Sequence, residues 1–522
     1  MTSGAVLGID LGTTNSVAAS IDEQGRLIVL RNSLGSEITP SVVFFEPDGG
    51  VLVGEEALQA AAADPDHGVR LIKRQMGTRF PLMLGDQEHT PESISALILR
   101  QLAAAAGPAG GAHVVITVPA YFGLAEREAT YQAGLIAGLD VLELLDEPVA
   151  AAAHYGLTAV AGRTVLVYDL GGGTFDTTVL RIADGEVTVL ATDGHHELGG
   201  ADVDERLIDL VLERLAGLLP PAEFAAYAED SQRLASLRLD VEGAKHDLSA
   251  RVSRDVVVRT PAGRVTVTIT RADLEAACGD LFDSTAEIIE RVLAAARAAG
   301  AGPVDDVIMV GGSSRIPVLA TRLTDLLGVT PRLTEPDLAV AKGAALRAHQ
   351  ILATPQLAAL ARPGARRALA GAGKIRTVAP RAIGILVDDS YDPAGARSFI
   401  EHLVPANAAL PVSHTEARFG TILDGQESAR IQVYEQAGPS PSAEVAHNRR
   451  VLDGELTGLG ALPAGSVIRI TIQIALDGRL TVIAQEPVSG RELALAAFIE
   501  GVVDSVETDR LTRMVGLTTV RG

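Results

Sequence analysis

Cysteine is nearly absent from this chain of 522 residues, in which Cys278 is the only one. A single cysteine excludes a disulfide within the chain and fits a reducing compartment. Because Cys278 stands in the apolar stretch LEAACGDLF, we interpret it as a small core residue and not as a reactive thiol.

Long apolar runs and a secretory leader are lacking as well. The sequence has no run of about 20 uninterrupted apolar residues, the length that a membrane-spanning helix needs. The N-terminus does not show the basic region followed by an apolar region that a signal peptide requires. We therefore expect a soluble, cytoplasmic protein with no membrane partner.

Positive charge is scarce. The 44 Lys and Arg residues are outnumbered by 66 Asp and Glu residues, which gives a net charge of −22. Such a chain repels a nucleic-acid backbone, so we expect no nucleic-acid partner. A nucleotide would have to be held by a local arrangement of amides, cations and metal.

The length of the chain allows roughly three domains.

The stretch VLVYDLGGGTFD, residues 165–176, carries the strongest functional signal. Its apolar start predicts a buried strand that delivers Asp169 to the strand's end. Glycines 171–173 are expected to turn with positive φ and to bring their N–H groups close to a ligand. With Thr174 and Asp176 they suit a phosphate chain that carries Mg²⁺. Taken alone, however, a glycine-rich turn after a strand is more often only a turn.

The same design occurs near the N-terminus, in LGIDLGTTNS at residues 7–16. An apolar strand again leads to Asp-Leu-Gly, and hydroxyl side chains follow. One copy is easily explained as a turn, but two copies are poorly explained in that way. Strands and helices also alternate along this part of the chain, which favours an α/β fold. We therefore expect two related lobes that hold one polyphosphate from opposite sides.

Several polar residues allow two interpretations each. Lys73 lies among apolar residues in RLIKR, and such a lysine is usually a solvated helix charge. Glu147 follows a predicted strand, where it is either a catalytic carboxylate or a turn residue before proline. The adjacent His195 and His196 rarely suffice for one metal ion, so we do not expect a zinc site.

Two further segments are compatible with ligand binding. Glu242, Lys245 and Ser249 share one face of a predicted helix, which is either a solvated salt-bridge face or a polar face toward a ligand. In residues 304–315 a strand ends in Gly-Gly-Ser-Ser-Arg before a helix, and helix N-termini attract anions.

The composition changes in the last third of the chain. Residues 352–380 are rich in Ala, Gly, Pro and Arg and predict a linker. Beyond it apolar residues alternate, as in the isoleucines of residues 468–474, and Asp477-Gly478 predicts a hairpin turn. This pattern indicates an antiparallel β domain. The apolar spacing from Phe498 to Val506 predicts one amphipathic helix near the end.

Taken together, these motifs resemble the seventy-kilodalton heat-shock chaperones of the DnaK type. The resemblance runs from Ala5 to about Leu493 and rests on motifs that occur in the family's order: GIDLGTTNS, ITPSVVFF, ITVPAYF, DEPVAAAAHYGL, YDLGGGTFD, ELGGADVD and VGGSSRIP. It implies an actin-like ATPase domain with two lobes, each with a ribonuclease-H-like core, followed by an antiparallel β-sandwich. The implied domains are a nucleotide-binding domain at 1–351, a linker at 352–379, a sandwich at 380–493 and a short helical, truncated lid at 494–522.

The resemblance implies that ATP or ADP binds with Mg²⁺ between the lobes. Asp10 and Asp169 are then expected to orient the magnesium through its waters. The implied catalytic residues are Lys73, Glu147, Thr174 and Asp176. Among them Thr174 faces the γ-phosphate, while Glu147 and Asp176 lie near the attacking water in an order that the sequence does not rank. The resemblance reverses the local interpretation of Lys73, because this lysine matches the family's catalytic one.

The same comparison implies the remaining nucleotide contacts. They are Gly12, Thr13, Thr14, Asn15, Gly171, Gly172, Gly173, Gly199, Gly200, Glu242, Lys245, Ser249, Gly311, Gly312, Ser313, Arg315 and Asp337. His246 stands where the family usually has an arginine, so one adenine-stacking partner is expected to be weaker.

The β domain resembles the family's peptide-binding sandwich. Ile385, Phe419, Ala429 and Ile431 match the apolar pocket that accepts an extended client segment. The alternative is that each is an ordinary core residue. Unfolded or extended polypeptides are the expected partners, and a nucleotide-exchange factor is a further candidate.

Three departures from the family pattern change these expectations. The short segment 494–522 in place of a full helical lid predicts fast peptide exchange and weak affinity. The linker is basic and lacks the family's leucine run between aspartates, so weaker coupling between the domains is expected. Glu143 and Tyr131 replace two basic residues of the J-domain contact, and a like-charge contact there would lower affinity. We therefore expect no stimulation by ordinary J-domain proteins.

Two other functions are compatible with parts of the sequence. An actin-like or sugar-kinase-like ATPase shares the two hairpins but lacks the β domain after Pro380. A nucleotide-sensing binding module with a dedicated protein partner would not need turnover, and the intact residues Lys73, Glu147, Thr174 and Asp176 argue against it. We therefore favour an ATP-dependent molecular chaperone.

Overall fold

Each Asp-Leu-Gly stretch begins at the end of one strand of a mixed β-sheet and leads into the turn before the next strand, so the chain contains the same arrangement twice. The computed structural model describes residues 4–84, 87–107, 111–155, 162–183, 186–260, 263–333, 335–352, 374–388, 397–475, 478, 480–495 and 501–521. We call residues 4–155 the N-terminal lobe, residues 162–352 the second lobe and residues 378–495 the sandwich.

The sheet of the N-terminal lobe is built around the strand Val6–Asp10. Leu7 and Ile9 on this strand are completely buried, as expected from their apolar neighbours. The strand pairs with one parallel and one antiparallel neighbour. From edge to edge the main strands are Asp140–Asp146, His113–Val118, Val6–Asp10, Asn15–Ile21 and Leu27–Val29, and Thr39–Pro40 also pairs with Asn15–Ile21.

The sheet of the second lobe repeats this order of directions around Arg163–Leu170. Its strands, from edge to edge, are Arg332–Leu333, Asp306–Val310, Arg163–Leu170, Phe175–Ala183, Glu186–His195 and Lys374–Arg376. Asp306–Val310 is parallel to the central strand, and Phe175–Ala183 is antiparallel to it, as in the first sheet. Because each central strand has an aspartate at or next to its last residue, followed by Leu-Gly, the two copies present equivalent turns.

The remaining elements cover these sheets. In the N-terminal lobe the helices are Glu55–Ala63, Pro91–Ala104, Leu124–Ile136 and Glu147–His154, the 3₁₀ helices are Pro65–His67 and Ile72–Gln75, and the outer strands are Val43–Phe45, Val51–Val53, Gly68–Val69, Leu82–Leu84 and Gln87–His89. In the second lobe the helices are Gly200–Leu218, Pro221–Ala228, Ser231–Ala250, Arg271–Ala277, Gly279–Ala298, Pro317–Leu327 and Ala339–Leu352, with the 3₁₀ helix Gly312–Arg315 and the hairpin Ser253–Thr260 and Gly263–Thr270. None of the helices in the described ranges is long and apolar enough to cross a membrane.

The sandwich consists of two four-stranded antiparallel sheets. One contains Ser398–Val404, Ile383–Asp388, Gln426–Gln436 and Asn448–Leu462, and the other contains Val412–Gly420, Val467–Ile474, Leu480–Glu486 and Arg491–Leu495. The alternating isoleucines from Ile468 to Ile474 all face the core between the sheets. The 3₁₀ helix Val445–His447 precedes the longest strand.

The end of the predicted linker forms strand structure. Lys374–Arg376 pairs in parallel with Glu186–Thr188, at the edge of the second lobe's sheet. Val378–Ala379 then pairs with Ala408–Ala409 of the sandwich. The preceding part of the predicted linker, and Asp477 of the predicted hairpin turn, lie outside the described residues.

The C-terminal helix is displaced from its predicted position. It spans Ser505–Leu517 instead of beginning near Phe498, which lies outside the described residues, and Val506 is 77% exposed. The helix packs on Pro91–Ala104 and Leu124–Ile136 of the N-terminal lobe, and Val520–Arg521 pairs with Val51–Leu52. In this arrangement the segment covers the N-terminal lobe and does not lie over the sandwich as a lid would.

Candidate active site

A cavity of about 110 Å³ lies between the two equivalent turns. Most of the residues predicted to bind a nucleotide line it together. The lining residues are Asp10, Gly12, Thr13, Thr14, Asn15, Val17, Ile38, Lys73, Glu147, Asp169, Gly171, Gly172, Thr174, Glu242, Lys245, His246, Gly311, Gly312, Ser313, Pro336, Asp337 and Val340.

The two turns touch each other where glycine is present. A Cβ atom added to Gly172 would lie 1.8 Å from Thr14 Oγ1, and one added to Gly173 would lie 2.2 Å from Thr13 Cγ2. Glycines 171–173 do not have the positive φ that we expected from the sequence. Glycine is required here because the two hairpins approach too closely for any side chain.

Asp10 and Asp169 stand at the ends of the two central strands and face this common cavity. The Asp10 carboxylate accepts a hydrogen bond of 2.9 Å from Thr117 Oγ1. Burial and the nearby charge of Glu147 raise the pKa of Asp10 to about 7, and burial together with Asp176 raises the pKa of Asp169 well above its usual value. Crowded carboxyls of this kind are stabilised in their charged form by a cation.

The donor set in this cavity suits a hydrated magnesium ion. Within the described residues, no three His, Cys, Asp or Glu side chains form a site that could hold a metal on their own. Mg²⁺ usually keeps several waters and is bound through one or two carboxylates together with substrate phosphates. Two aspartates that face a cavity lined by hydroxyls and amides are therefore compatible with it.

Lys73 is buried in the cavity and paired with Glu147. Its Nζ atom lies 2.8 Å from Glu147 Oε1, and the two side chains are 5% and 9% exposed. The 3₁₀ helix Ile72–Gln75 carries the lysine, and the helix Glu147–His154 begins with the glutamate. The interpretation of Lys73 as a solvated charge is therefore wrong. Its Nζ also lies 5.6 Å from the centre of the Phe122 ring.

Asp176 lies deeper than the other predicted catalytic residues. It is 2% exposed and does not line the cavity. One carboxylate oxygen accepts the N–H of Ala120 at 3.0 Å, whereas Oδ1 has no partner among the described residues. Burial, followed by the charge of Glu147, raises the pKa of Asp176 well above its usual value.

The far end of the cavity is formed by the helix Ser231–Ala250 and the turn after Asp306–Val310. Lys245 bonds to Asp204 at 2.7 Å and to the carbonyl of Gly200 at 3.0 Å. His246, which stands where the resemblance would place an arginine, lines the cavity. Five residues predicted to contact the nucleotide are not part of its lining, namely Gly173, Gly199, Gly200, Ser249 and Arg315, and Arg315 instead pairs with Asp337 at 2.5 Å.

Sequence reasoning missed the apolar part of this end. Val17, Ile38 and Val340 contribute an apolar wall to the cavity. They come from a strand, a loop and a helix that are far apart in sequence, so no local pattern could group them. Sequence reasoning also missed Arg74, which reaches from the N-terminal lobe to Gly173 and Asp202.

The four predicted peptide-site residues are brought together in the core of the sandwich. Ile385 and Ile431 are buried, while Phe419 and Ala429 are partly buried against the same cluster. They come from three strands on both sheets, Ile383–Asp388, Val412–Gly420 and Gln426–Gln436. This location is compatible with an apolar pocket and equally with an ordinary core.

Comparison with known proteins assigns the family. The profile of the family described as Hsp70 protein matches residues 6–84 and 82–515. The chaperone protein DnaK of Thermotoga neapolitana is 38% identical over 506 residues, which cover 94% of this chain and 80% of the relative. DnaK of Thermosipho melanesiensis is 36% identical over 502 residues (93% and 79%), and DnaK of Halobacterium salinarum is 37% identical over 514 residues (96% and 76%).

This chain belongs to the Hsp70 family. The prediction of an actin-like ATPase domain followed by a β-sandwich is confirmed. Hsp70 proteins are ATPases and act as ATP-dependent chaperones that bind client polypeptides, so the predicted activity, the nucleotide and the class of partner are confirmed at that level. The match includes the sandwich, which argues against the sugar-kinase-like alternative.

Proposed function

We propose that this Hsp70 homologue binds Mg·ATP between its two equivalent turns and hydrolyses it there. The observation that carries the proposal is that Asp10 and Asp169, from two copies of one motif, face one cavity. The hydroxyls of Thr13 and Thr14 and the amides of the glycine turn would hold phosphate oxygens, since both are good donors to an anion.

Asp10 and Asp169 would hold the magnesium ion through water molecules. The ion would offset the negative charge of the phosphates when it is bound. The raised pKa values of both aspartates support this assignment, because a cation stabilises the charged form that burial and then the neighbouring carboxylates disfavour.

Lys73 would neutralise charge on the transferring group, and a carboxylate would orient the attacking water. Phosphoryl transfer to water depends on this kind of positioning more than on covalent assistance. Glu147 is the better supported candidate for the water, because it lines the cavity and pairs with Lys73. Asp176 would act indirectly, because its carboxylate accepts the N–H of Ala120 and so fixes the backbone there.

The sandwich would bind an extended, apolar client segment near Ile385, Phe419, Ala429 and Ile431. A route toward the ATPase site is available, because Thr377 Oγ1 donates to Asp146 at 2.6 Å and Asp146 immediately precedes Glu147. Binding of a client could therefore act on the cleft through the strand that joins the two domains. The single, buried cysteine supports a cytoplasmic location for these domains.

We also propose that ordinary J-domain proteins do not stimulate this chain. Glu143 lies where the family's acceptor of the J-domain aspartate is basic, and its carboxylate is already paired with Arg347 at 2.6 Å. An aspartate approaching Glu143 would meet a like charge.

The decisive experiment measures single-turnover ATP hydrolysis with and without a short hydrophobic peptide. We expect hydrolysis by the wild type, acceleration by the peptide, and a loss of roughly 100-fold or more in Lys73→Ala, the range seen when one charge-stabilising group is removed. Arg233→Ala, which breaks the surface pair with Asp230, is the matched control. ATP that is bound but never turned over by the wild type would instead identify a nucleotide-sensing module.

A further inference from the structure

Arg74 carries a positive charge from the N-terminal lobe to the second lobe. Its Nε donates to the carbonyl oxygen of Gly173 at 2.9 Å, and its two terminal nitrogens reach Asp202 at 3.3 and 2.5 Å. The side chain is 15% exposed, so these bonds are largely shielded from water. Both acceptors belong to the second lobe, and Arg74 therefore bonds the two lobes directly.

The bond to Gly173 completes a set of three on the glycine turn. The carbonyl of Gly171 accepts the N–H of Gly200 at 2.9 Å, and the carbonyl of Gly172 accepts the N–H of Ala201 at 2.7 Å. Two of the three carbonyls are thus held by the start of the helix Gly200–Leu218, and the third is held by Arg74. All three oxygens are engaged by protein donors.

This arrangement decides which backbone groups a phosphate can meet. Carbonyl oxygens repel an anion, whereas N–H groups attract it. Among the described residues, the N–H groups of Gly172 and Gly173 have no protein acceptor, and Gly172 lines the cavity. Fixing the carbonyls therefore leaves donors available beside the cavity.

Asp202 links the same arginine to the helix start. Its Oδ2 atom accepts the N–H of Gly199 at 2.7 Å, which caps the helix. A Cβ atom added to Gly199 would lie 2.7 Å from Gly173, so the cap is pressed against the turn. Arg74 consequently holds both the turn and the helix that supports it.

We propose that Arg74 is a positioning residue that orders the glycine turn for the phosphates of a nucleoside di- or triphosphate when the lobes are closed. It acts through Gly173 and Asp202 and does not itself contact the nucleotide. The inference rests on the proposed function, because it assumes that this cavity is the nucleotide site.

The inference predicts a selective loss of phosphate recognition. In Arg74→Ala we expect the affinity for ADP to fall roughly tenfold or more, the effect of losing a hydrogen bond to a charged group, while the affinity for adenosine is nearly unchanged. Arg74→Gln keeps one donor group and a similar volume, so its affinity for ADP should fall by a smaller factor, again with little change for adenosine. Arg206→Ala is the matched control, since Arg206 lies on the same helix as Asp202 and pairs with Asp280 at the surface.

Calorimetric titration of each variant with ADP and with adenosine, in Mg²⁺, tests the inference. A change in the ratio of the two dissociation constants supports it. An unchanged ratio overturns it, whether both affinities fall equally through a general loss of structure or neither falls. Thermal unfolding of the unliganded variants shows whether Arg74→Ala has a folding defect. If it has one, the ratio of dissociation constants measured for Arg74→Gln is used to test the inference instead. The proposed function fails separately, if the wild type does not bind ADP or hydrolyse ATP.

Discussion

The carboxylate of Glu435 in the sandwich accepts the backbone N–H of Leu124 in the N-terminal lobe at 2.9 Å. Glu435 is only 2% exposed, and a Cβ atom on the preceding Gly123 would lie 2.3 Å from its Oε2 atom. Beside it, Arg449 of the sandwich bonds to both oxygens of Glu126 at 3.1 and 2.9 Å. The sandwich is therefore held on this lobe by buried charges and not only by the connecting strand.

Removing Arg449 should weaken this contact between the domains. Although burial opposes ionisation, the charges of Arg381 and Arg449 lower the pKa of Glu126 to about 2. Without Arg449 the carboxylates of Glu126 and Glu435 keep Arg381 as a counter-charge, so the cost stays below the roughly 3–5 kcal/mol of a fully unpaired buried charge. In Arg449→Ala we expect a larger radius of gyration by small-angle scattering and a smaller effect of peptide on ATP hydrolysis. Arg469→Ala, on an exposed face of the sandwich, should leave both unchanged.

The C-terminal helix should behave as part of the N-terminal lobe. Leu511 and Val515 are fully buried in that lobe's core, and Arg100 donates to the carbonyl of Thr518 at 2.6 Å. Leu511→Ala should lower the free energy of unfolding of the lobe by about 2–5 kcal/mol, as large-to-small core substitutions do. Leu517, 86% exposed on the same helix, provides the control. Equal melting temperatures for the two variants would contradict this packing.

The architecture could be predicted because its signals are local and repeated. The apolar strand that ends at Asp10 recurs before Asp169, and both strands form the centre of a sheet. The two-residue period at Ile468 and Ile470 likewise predicts the sandwich strand Val467–Ile474. In each case one short stretch contains the whole pattern.

Features that depend on distant partners could not be predicted in this way. The burial of Lys73 is stabilised by Glu147, 74 residues later in the chain, and nothing within RLIKR indicates it. The need for glycine at Gly172 comes from contact with Thr14, and not from a turn with positive φ. A local signal for the last helix was present but overlooked, since Asp504 caps it by accepting the N–H of Glu507.

Acid should destabilise the N-terminal lobe through His89. This side chain is 2% exposed, with its ring 4.7 Å from that of Phe45, and burial followed by the charge of Arg510 lowers its pKa to about 4. The folded-state pKa is below the unfolded one, so protonation favours the unfolded chain. The stabilisation is complete above pH of about 6.5 and falls by up to about 1.4 kcal/mol per pH unit toward pH 4.

Urea unfolding at pH 7.5 and at pH 5 checks this expectation. The difference between the two pH values should be smaller in His89→Gln than in the wild type. His447→Gln, at an exposed histidine of the sandwich, should retain the full difference. If His89→Gln retains it too, other groups account for the acid sensitivity.

The pairing of Glu143 with Arg347 allows the J-domain proposal to be tested without breaking an ion pair. The natural pair is 2.6 Å apart, and exchanging the two charges, in Glu143→Arg with Arg347→Glu, keeps opposite charges at these two positions while it inverts the charge presented by the strand Asp140–Asp146. ATP hydrolysis by the wild type should not respond to a J-domain. The exchanged variant should respond more strongly, because the aspartate of the J-domain would then meet a cation.

A J-domain that lacks this aspartate is the control for both proteins, and it should stimulate neither. The basal rate of the exchanged variant should equal that of the wild type, since neither residue lines the cavity. If the normal J-domain stimulates the wild type and the J-domain without the aspartate does not, another cation of this chain must bind that aspartate. The first candidate would then be Arg347, which lies on the helix Ala339–Leu352 and donates a hydrogen bond to Glu143.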